Sequence, residues 1–279
     1  MLLEILIGCS VYLRLKRKLI NMEISKSVQS YLEASRLREP RKKSRKFYIS
    51  DMGKCMRTRW LKRKGIGAEF APYVSWLFKI GDLYHDFVYK ALESQGRLLA
   101  SEDYVQTDHF IGRYDGIVRD EEGKAVLDIK SAGGYKMREI EKGKDDEQLI
   151  AQILSYQMLL MDEGQKDLKK SIILYVNKEP GDKLPNSFVE RHYRLTNWRK
   201  DKLKEEMKTL VDYWEKDKIP PCGCPGWMKN YNSFQPLCQM GEARIRKILK
   251  DLEKGKEFIT TNKALYLVDG KERKEVAKV

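Results

Sequence analysis

Two aspartates and a lysine within one short stretch of the chain have the types and spacing needed to hydrolyse a phosphodiester. The stretch reads Gly112-Arg-Tyr-Asp115-Gly-Ile-Val-Arg-Asp-Glu-Glu-Gly-Lys-Ala-Val-Leu-Asp128-Ile-Lys130. Apolar residues flank a charged turn at Asp120–Gly123, which predicts a β-hairpin. If the loop is centred between Glu121 and Glu122, Asp115 lies opposite Asp128.

Facing carboxylates on an antiparallel pair lie about 5 Å apart at Cβ and repel each other. A divalent cation between them reverses that repulsion, because hard cations prefer carboxylate oxygen. Strand alternation puts Asp128 and Lys130 on one face and leaves Leu127 and Ile129 on the other face for the core. The pattern therefore predicts a metal site with a fixed cation beside it, which suits phosphodiester hydrolysis.

A solvated hairpin with a charged exposed face is the alternative interpretation, since 34% of the residues are charged. A three-residue turn would shift the register and separate the two carboxylates. The hairpin alone does not decide between these readings.

Four residues outside the hairpin could complete such a site. His85 lies on a predicted helix at 74–95, and imidazole can join a carboxylate site for magnesium or manganese. Gln152 and Tyr156 share one face of a predicted helix at 145–163, and Glu102 is a weaker candidate for an acidic ligand. A lone helical histidine is more often structural, and a tyrosine in an apolar helix usually belongs to the core.

The charge balance indicates a polyanionic partner. The 279 residues carry a formal net charge of +14, which favours nucleic acid bound through its phosphates. Candidate contacts lie in the basic run at Arg57, Arg59, Lys62 and Arg63. Anionic membrane is the weaker alternative, because no stretch approaches the roughly 20 apolar residues of a membrane span.

Cysteine usage indicates a second metal site. In a reducing compartment, which we expect here, cysteine more often binds metal than forms disulfides. Cys9 stands alone near the amino terminus, whereas Cys55 lies upstream and Cys222, Cys224 and Cys238 lie downstream of the predicted core. Four thiolates suit tetrahedral zinc or an iron–sulfur cluster, and the tight Cys-x-Cys pair favours iron–sulfur. Free thiols are the alternative.

The order of predicted elements indicates an α/β protein whose mixed sheet is covered by helices. Strands are expected at 97–107, 111–119, 124–131, 171–177 and 188–195. Helices are expected at 24–37, at 196–217 with Thr196 as cap, at 241–256, and in a segment that Ser50-Asp51 caps and that carries Cys55 and Trp60. The expected organisation is a doubtful leader (1–21), an N-terminal helical part (22–75), the core (76–200), a C-terminal helical and cysteine part (201–256) and a polar tail (257–279).

The ordered set of motifs resembles a known family. Asp115, Asp128-Ile129-Lys130 and Gln152-x-x-x-Tyr156 resemble the RecB-type branch of the PD-(D/E)XK nucleases, and Gly81-x-x-x-His85 matches the motif that precedes its core. One cysteine upstream and three downstream are similar to the CRISPR-associated protein four family and to AddB-type nuclease domains, which carry a four-iron, four-sulfur cluster. Two features depart from the family: Asp128 replaces glutamate, and the downstream cysteines are spaced Cys-x-Cys-x13-Cys.

The resemblance implies a restriction-endonuclease-like core and a helical lobe that both chain ends form around the four cysteines. It implies a cytosolic metal-dependent deoxyribonuclease, expected to be an exonuclease on single-stranded DNA or DNA ends. His85, Asp115, Asp128 and the Ile129 carbonyl would hold Mg²⁺ or Mn²⁺, Lys130 would orient the attacking water, and Gln152 and Tyr156 would position the nucleic acid. Cys55, Cys222, Cys224 and Cys238 would ligate the cluster, with zinc as the alternative.

Two other functions stay open at this point. One is a non-catalytic DNA-binding or recombination accessory protein with the same fold, and the other is an RNA-processing nuclease. A homo-oligomer and recombination or CRISPR partner proteins are further partners that the resemblance allows.

Overall fold

The computed structural model describes Lys26 and residues 45–68, 72–181, 186–224, 232–269 and 272–278. The predicted leader at 1–21, the predicted helix at 24–37 (Lys26 apart) and Cys9 lie outside the described residues. The chain divides into two compact units. Lys26 and residues 72–79 belong to the first unit, and residues 45–68 and those from Ile80 onwards belong to the second, which contains both sites discussed below.

A five-stranded mixed sheet forms the centre of the second unit, in the order β3-β6-β7-β8-β9. Only β7 and β8 pair in parallel, and the other neighbours are antiparallel. A three-stranded sheet has the order β1-β5-β4, and a four-stranded sheet has the order β12-β11-β10-β2. The strands are β1 (Phe47–Tyr48), β2 (Gly67–Ala68), β3 (Leu98–Ser101), β4 (Tyr104–Gln106), β5 (Phe110–Arg113), β6 (Gly116–Asp120), β7 (Gly123–Ala132), β8 (Leu168–Asn177), β9 (Phe188–Tyr193), β10 (Glu257–Thr260), β11 (Ala264–Asp269) and β12 (Glu272–Lys278).

Helices cover both faces of the central sheet, as the predicted order of elements requires. The described helices are α1 (Met56–Arg63), α2 (Pro72–Ser94), α3 (Gly134–Glu141), α4 (Glu147–Asp162), α5 (Asn197–Glu215), α6 (Gln235–Cys238) and α7 (Glu242–Glu253), with a 3₁₀ turn at Ile49–Asp51. Val88 and Tyr89 of α2 pack with Leu127 and Ile129 on one face. On the other face α4 packs against β7 and β8.

Side chains cap the starts of two helices, and the cap at Thr196 was predicted. The Asp146 carboxylate accepts hydrogen bonds from two backbone N–H groups of α4, and the Thr196 hydroxyl does the same for one N–H of α5. Such caps satisfy donors that have no partner within the helix. The predicted cap at Ser50-Asp51 is wrong: Asp51 ends the 3₁₀ turn, and Cys55 is the N-cap of α1.

The predicted hairpin forms, and Ile117 pairs with Val126 and Arg119 with Lys124 across β6 and β7, as predicted. The third predicted pair, Asp115 with Asp128, is not part of this ladder, whose last pair is Gly116 with Leu127. The strand predicted at 111–119 is instead divided, because the chain bends at Tyr114 and Asp115 and passes from the three-stranded to the central sheet. The strand predicted at 97–107 divides in the same way at Glu102, whose backbone φ is 51°. Asp115 therefore lies at a corner, directly before β6.

The C-terminal segment that we expected to be a polar tail forms β10, β11 and β12. Phe258, Ala264 and Leu265 are buried there, and β10 also pairs in parallel with β2. These few apolar positions anchor a segment whose other residues are mostly charged or polar. Among the described residues, no helix is both long and apolar enough to cross a membrane.

Candidate active site and four-cysteine group

Four elements bring the predicted catalytic side chains to one place at the central sheet. The bend before β6 carries Asp115, and β7 carries Asp128 and Lys130. Helix α2 supplies His85, and α4 supplies Gln152. Because α2 and α4 cover opposite faces of the sheet, the site takes side chains from both faces.

The Asp115 carboxylate is fixed by the backbone of β7. Its Oδ2 accepts a hydrogen bond from the Ile129 N–H at 2.7 Å, and it lies 3.8 Å from His85 Nε2 and 4.0 Å from Lys130 Nζ. The Tyr89 hydroxyl donates to the Asp115 carbonyl oxygen at 2.9 Å and lies 3.4 Å from His85 Nδ1. Backbone and tyrosine together hold this acid beside the histidine.

Asp128 is 2% exposed, and two side chains contact its carboxylate. Lys130 Nζ donates to its Oδ1 at 2.7 Å and lies 2.6 Å from its Oδ2, and Gln152 Nε2 donates to Oδ1 at 3.1 Å. The Oδ2 contact is an ion pair without hydrogen-bond geometry, so this oxygen accepts no hydrogen bond within the described part of the chain. The two aspartates meet at Lys130, whose Nζ lies within 4.0 Å of carboxylate oxygens from both.

Burial and neighbouring charges oppose each other at both members of this pair, and the net result raises the pKa of each. Burial raises the pKa of the Asp128 carboxyl to about 6, against the attraction of Lys130 and with a further rise caused by Asp115. Burial alone would lower the pKa of Lys130, but the two aspartates outweigh it and raise that pKa. Lys130 therefore carries its positive charge at neutral pH.

The donors at this site fit a small divalent cation. His85 Nε2 lies 3.2 Å from the Ile129 carbonyl oxygen and 3.8 Å from Asp115 Oδ2. Atoms that bind one octahedral magnesium ion lie about 3 Å apart, so these separations need only small adjustments. Asp128 Oδ2 accepts no hydrogen bond within the described residues but lies 2.6 Å from Lys130 Nζ, so it could bind a cation only if that ammonium moves. A mixed set of carboxylate, carbonyl and imidazole suits Mg²⁺ or Mn²⁺.

Tyr89 is the site residue that our sequence analysis missed. Burial raises its pKa, so the hydroxyl stays protonated and able to donate. The sequence feature that could have identified Tyr89 is its position one helical turn after His85, because residues four apart share a helix face.

Two predicted residues have structural contacts instead. Tyr156 is 2% exposed, and its hydroxyl donates to the Arg113 carbonyl oxygen at 2.9 Å, so it does not face solvent where a nucleic acid could bind. Glu102 pairs with the Arg113 side chain at 3.0 Å. Its backbone N–H donates to the Asp115 carbonyl, so Glu102 supports the corner of the site.

The four basic residues expected to contact nucleic acid are bound by groups of the protein itself, and of the four only Arg59 is buried. Arg59 is 2% exposed and pairs with Glu206. Lys62 pairs with Asp51 at 2.7 Å. The remaining two are arginines with different partners: Arg57 donates to the Pro220 and Cys238 carbonyl oxygens, and Arg63 stacks over the Phe47 and Trp214 rings. All four side chains stabilise the packing around α1.

The four predicted cysteine ligands come together in space. Cys55, Cys222, Cys224 and Cys238 offer sulfur atoms that all lie within 4.8 Å of one another. The hydrogen bond between the Cys238 and Cys55 thiols lowers the pKa of Cys55 to about 4, against the effect of burial, and burial raises the pKa of Cys224 to about 12. Four thiols this close together are typical of a metal-binding group.

Residues 33–239 match the family model described as the PD-(D/E)XK nuclease superfamily, which is about three quarters of the chain. A search of curated proteins found no match.

Two solved structures, of different proteins, have low similarity to this fold. For the alkaline exonuclease LHK-Exo of Laribacter hongkongensis in complex with dAMP, identity is 15%, the TM-score is 0.45, and the match covers 62% of this chain and 89% of that one. For a phage-related exonuclease of Haemophilus somnus 129PT, identity is 14%, the TM-score is 0.35, and the match covers 47% and 68% of the respective chains.

Proposed function

We propose, on the premise that this chain belongs to the PD-(D/E)XK nuclease superfamily, that it is a metal-dependent deoxyribonuclease which cleaves single-stranded DNA or DNA ends. One observation supports this proposal most strongly. Lys130 Nζ lies within 4.0 Å of carboxylate oxygens from both Asp115 and Asp128, in the order of residues that the family motif requires.

The role of each residue follows from its contacts. Asp115, Asp128, His85 and the Ile129 carbonyl would hold one or two Mg²⁺ or Mn²⁺ ions, which lower the pKa of a bound water and polarise the phosphate. The Lys130 ammonium orients the attacking water and offsets the negative charge that develops on the phosphate. Its raised pKa favours this electrostatic role over removal of a proton.

Gln152 acts on the site through Asp128. Its amide donates to Asp128 Oδ1 at 3.1 Å, while Asp128 Oδ2 lies 2.6 Å from Lys130 Nζ. We assign Gln152 the role of positioning this carboxylate, in place of the contact with nucleic acid that its spacing suggested. Tyr156 keeps the same helix in place through the Arg113 carbonyl.

The net charge of the chain and its free cysteines both support a nucleic-acid substrate inside the cell. The net charge of +14 favours phosphate-rich partners in a salt-dependent manner. Four free cysteines in one group suit a reducing environment such as the cytosol. The exonuclease mode and the preference for DNA over RNA are parts of the proposal that the assay below distinguishes.

The test is incubation of the parent protein with end-labelled single-stranded DNA, duplex DNA and RNA of one sequence, with Mg²⁺, Mn²⁺ or EDTA. We expect metal-dependent release of short products from single-stranded DNA or duplex ends, and none with EDTA. Lys130→Met should abolish cleavage, whereas Lys124→Met, on the same strand outside the site, should not. Equal cleavage by parent and Lys130→Met would refute the assignment, and cleavage of RNA alone would replace DNA as the substrate.

A further inference from the structure

The four-cysteine group is separate from the proposed active site and draws on three segments of the chain. Cys55 is the N-cap of α1, Cys238 is the last residue of α6, and Cys222 and Cys224 lie in the segment that follows α5. Sequence positions 55 and 222 are far apart, so only the fold brings these thiols together. The geometry of the four thiols is therefore evidence about a bound group that does not depend on the proposed nuclease activity.

The spacing of the sulfur atoms limits what can lie between them. All four lie within 4.8 Å of one another, and Cys224 Sγ and Cys238 Sγ are 3.9 Å apart. Four thiolates bound to one tetrahedral zinc ion at about 2.3 Å are about 3.8 Å apart. A four-iron, four-sulfur cluster places a cube of iron and sulfide between its thiolates, and each thiolate binds a different iron. Such a cluster needs wider spacing than this group shows.

Polar side chains donate hydrogen bonds toward two of the sulfurs. Asn232 Nδ2 lies 3.2 Å from Cys224 Sγ and 3.6 Å from Cys238 Sγ. The Thr58 hydroxyl lies 3.5 Å from Cys238 Sγ and 3.3 Å from Asn232 Nδ2. Donors of this kind favour the thiolate form that a metal requires and fix the direction of the ligand.

Backbone contacts hold the ligand-bearing segments against each other without the sulfurs. Arg57 Nε donates to the Pro220 carbonyl oxygen at 2.7 Å, and its Nη1 donates to the Cys238 carbonyl oxygen at 2.9 Å. One guanidinium thus joins α1, the segment before Cys222 and the end of α6. These contacts limit how far the cysteines can separate to admit a larger group.

We propose that Cys55, Cys222, Cys224 and Cys238 bind a single tetrahedral metal ion, with zinc as the ion, and not the four-iron, four-sulfur cluster that the family resemblance implies. The ion links α1, α6 and the segment after α5 and so stabilises this part of the fold. Because structural zinc binds only the folded arrangement, its binding free energy contributes to folding.

The direct test is elemental analysis of the full-length protein, expressed with both iron and zinc supplied and purified without oxygen. We expect a colourless protein with about one zinc per chain, little iron and no acid-labile sulfide. Cys222→Ser should lower the zinc content, and Cys9→Ser, which changes the fifth cysteine, should leave it unchanged. Brown protein with iron and labile sulfide would overturn the proposal, and so would a folded parent without metal.

Cobalt substitution tests the geometry even if Cys222→Ser does not fold. Zinc is removed from the parent under reducing conditions, and Co²⁺ is added in increments. Tetrahedral thiolate ligation predicts intense visible bands that saturate at one cobalt per chain and disappear when one equivalent of Zn²⁺ is added. Weak bands typical of octahedral cobalt would overturn the assignment. Neither result depends on whether the protein cleaves DNA, so this proposal and the proposed function fail separately.

Discussion

Replacement of Gln152 by alanine tests how the site controls its buried carboxylate. The amide donates one hydrogen bond of 3.1 Å to Asp128 Oδ1, and the only other donor to that oxygen in the described structure is Lys130. A hydrogen bond to a charged group contributes about 1.5–3 kcal/mol, and 1.4 kcal/mol changes an equilibrium constant about tenfold. Loss of a residue that orients a metal ligand lowers metal affinity by about 10–100-fold, which agrees with this energy.

The assay is the initial rate of cleavage as a function of Mn²⁺ concentration, at saturating DNA. For Gln152→Ala we expect a half-saturating Mn²⁺ concentration about 10–100 times higher, with the rate at saturating metal largely recovered. Gln165→Ala, which changes a glutamine just after the same helix, should behave like the parent. A rate that high Mn²⁺ does not recover would refute a role through Asp128 and would return Gln152 to direct contact with the substrate.

Three further substitutions test the packing around the site. In Gly112→Ala the new Cβ would lie 2.7 Å from the Tyr156 ring and hydroxyl, so the free energy of unfolding measured in urea should fall by about 1–3 kcal/mol. Gly181→Ala, with open space around its Cβ, should leave that free energy unchanged. Tyr156→Phe should lose about 0.5–1.5 kcal/mol and retain cleavage, and loss of cleavage would show a catalytic role for the hydroxyl. Arg59→Met leaves Glu206 without its buried partner and should lower the free energy of unfolding by about 3 kcal/mol or more. The salt dependence of DNA binding should match that of the parent, and a shallower dependence would show that Arg59 contacts phosphate.

The sequence predicted the hairpin and its register because both depend on local signals. Alternation of apolar residues around a short charged turn determines which residues face each other, and the structure pairs Ile117 with Val126 as expected. The corner at Asp115 was not predicted. Backbone bends between two sheets leave no periodic signal, since residues on both sides of the bend still alternate.

The contacts of the basic residues could not be predicted from their positions in the sequence. Arg57, Arg59, Lys62 and Arg63 form a run that a solvated nucleic-acid surface would also show. Helix α1 instead presents them to partners distant in sequence, such as Glu206 and Trp214. The C-terminal strands could not be predicted for the same reason, because the three apolar residues that are buried there pack against elements distant in sequence.

The most direct test of the central claim is anomalous diffraction from crystals of the parent protein soaked in Mn²⁺. Our account predicts a manganese peak bonded to the carboxylates of Asp115 and Asp128, next to His85 and the Lys130 ammonium, and no such peak in Asp115→Asn. Ordered manganese found only at other places, with Asp115 and Asp128 still bridged by Lys130 alone, would contradict it.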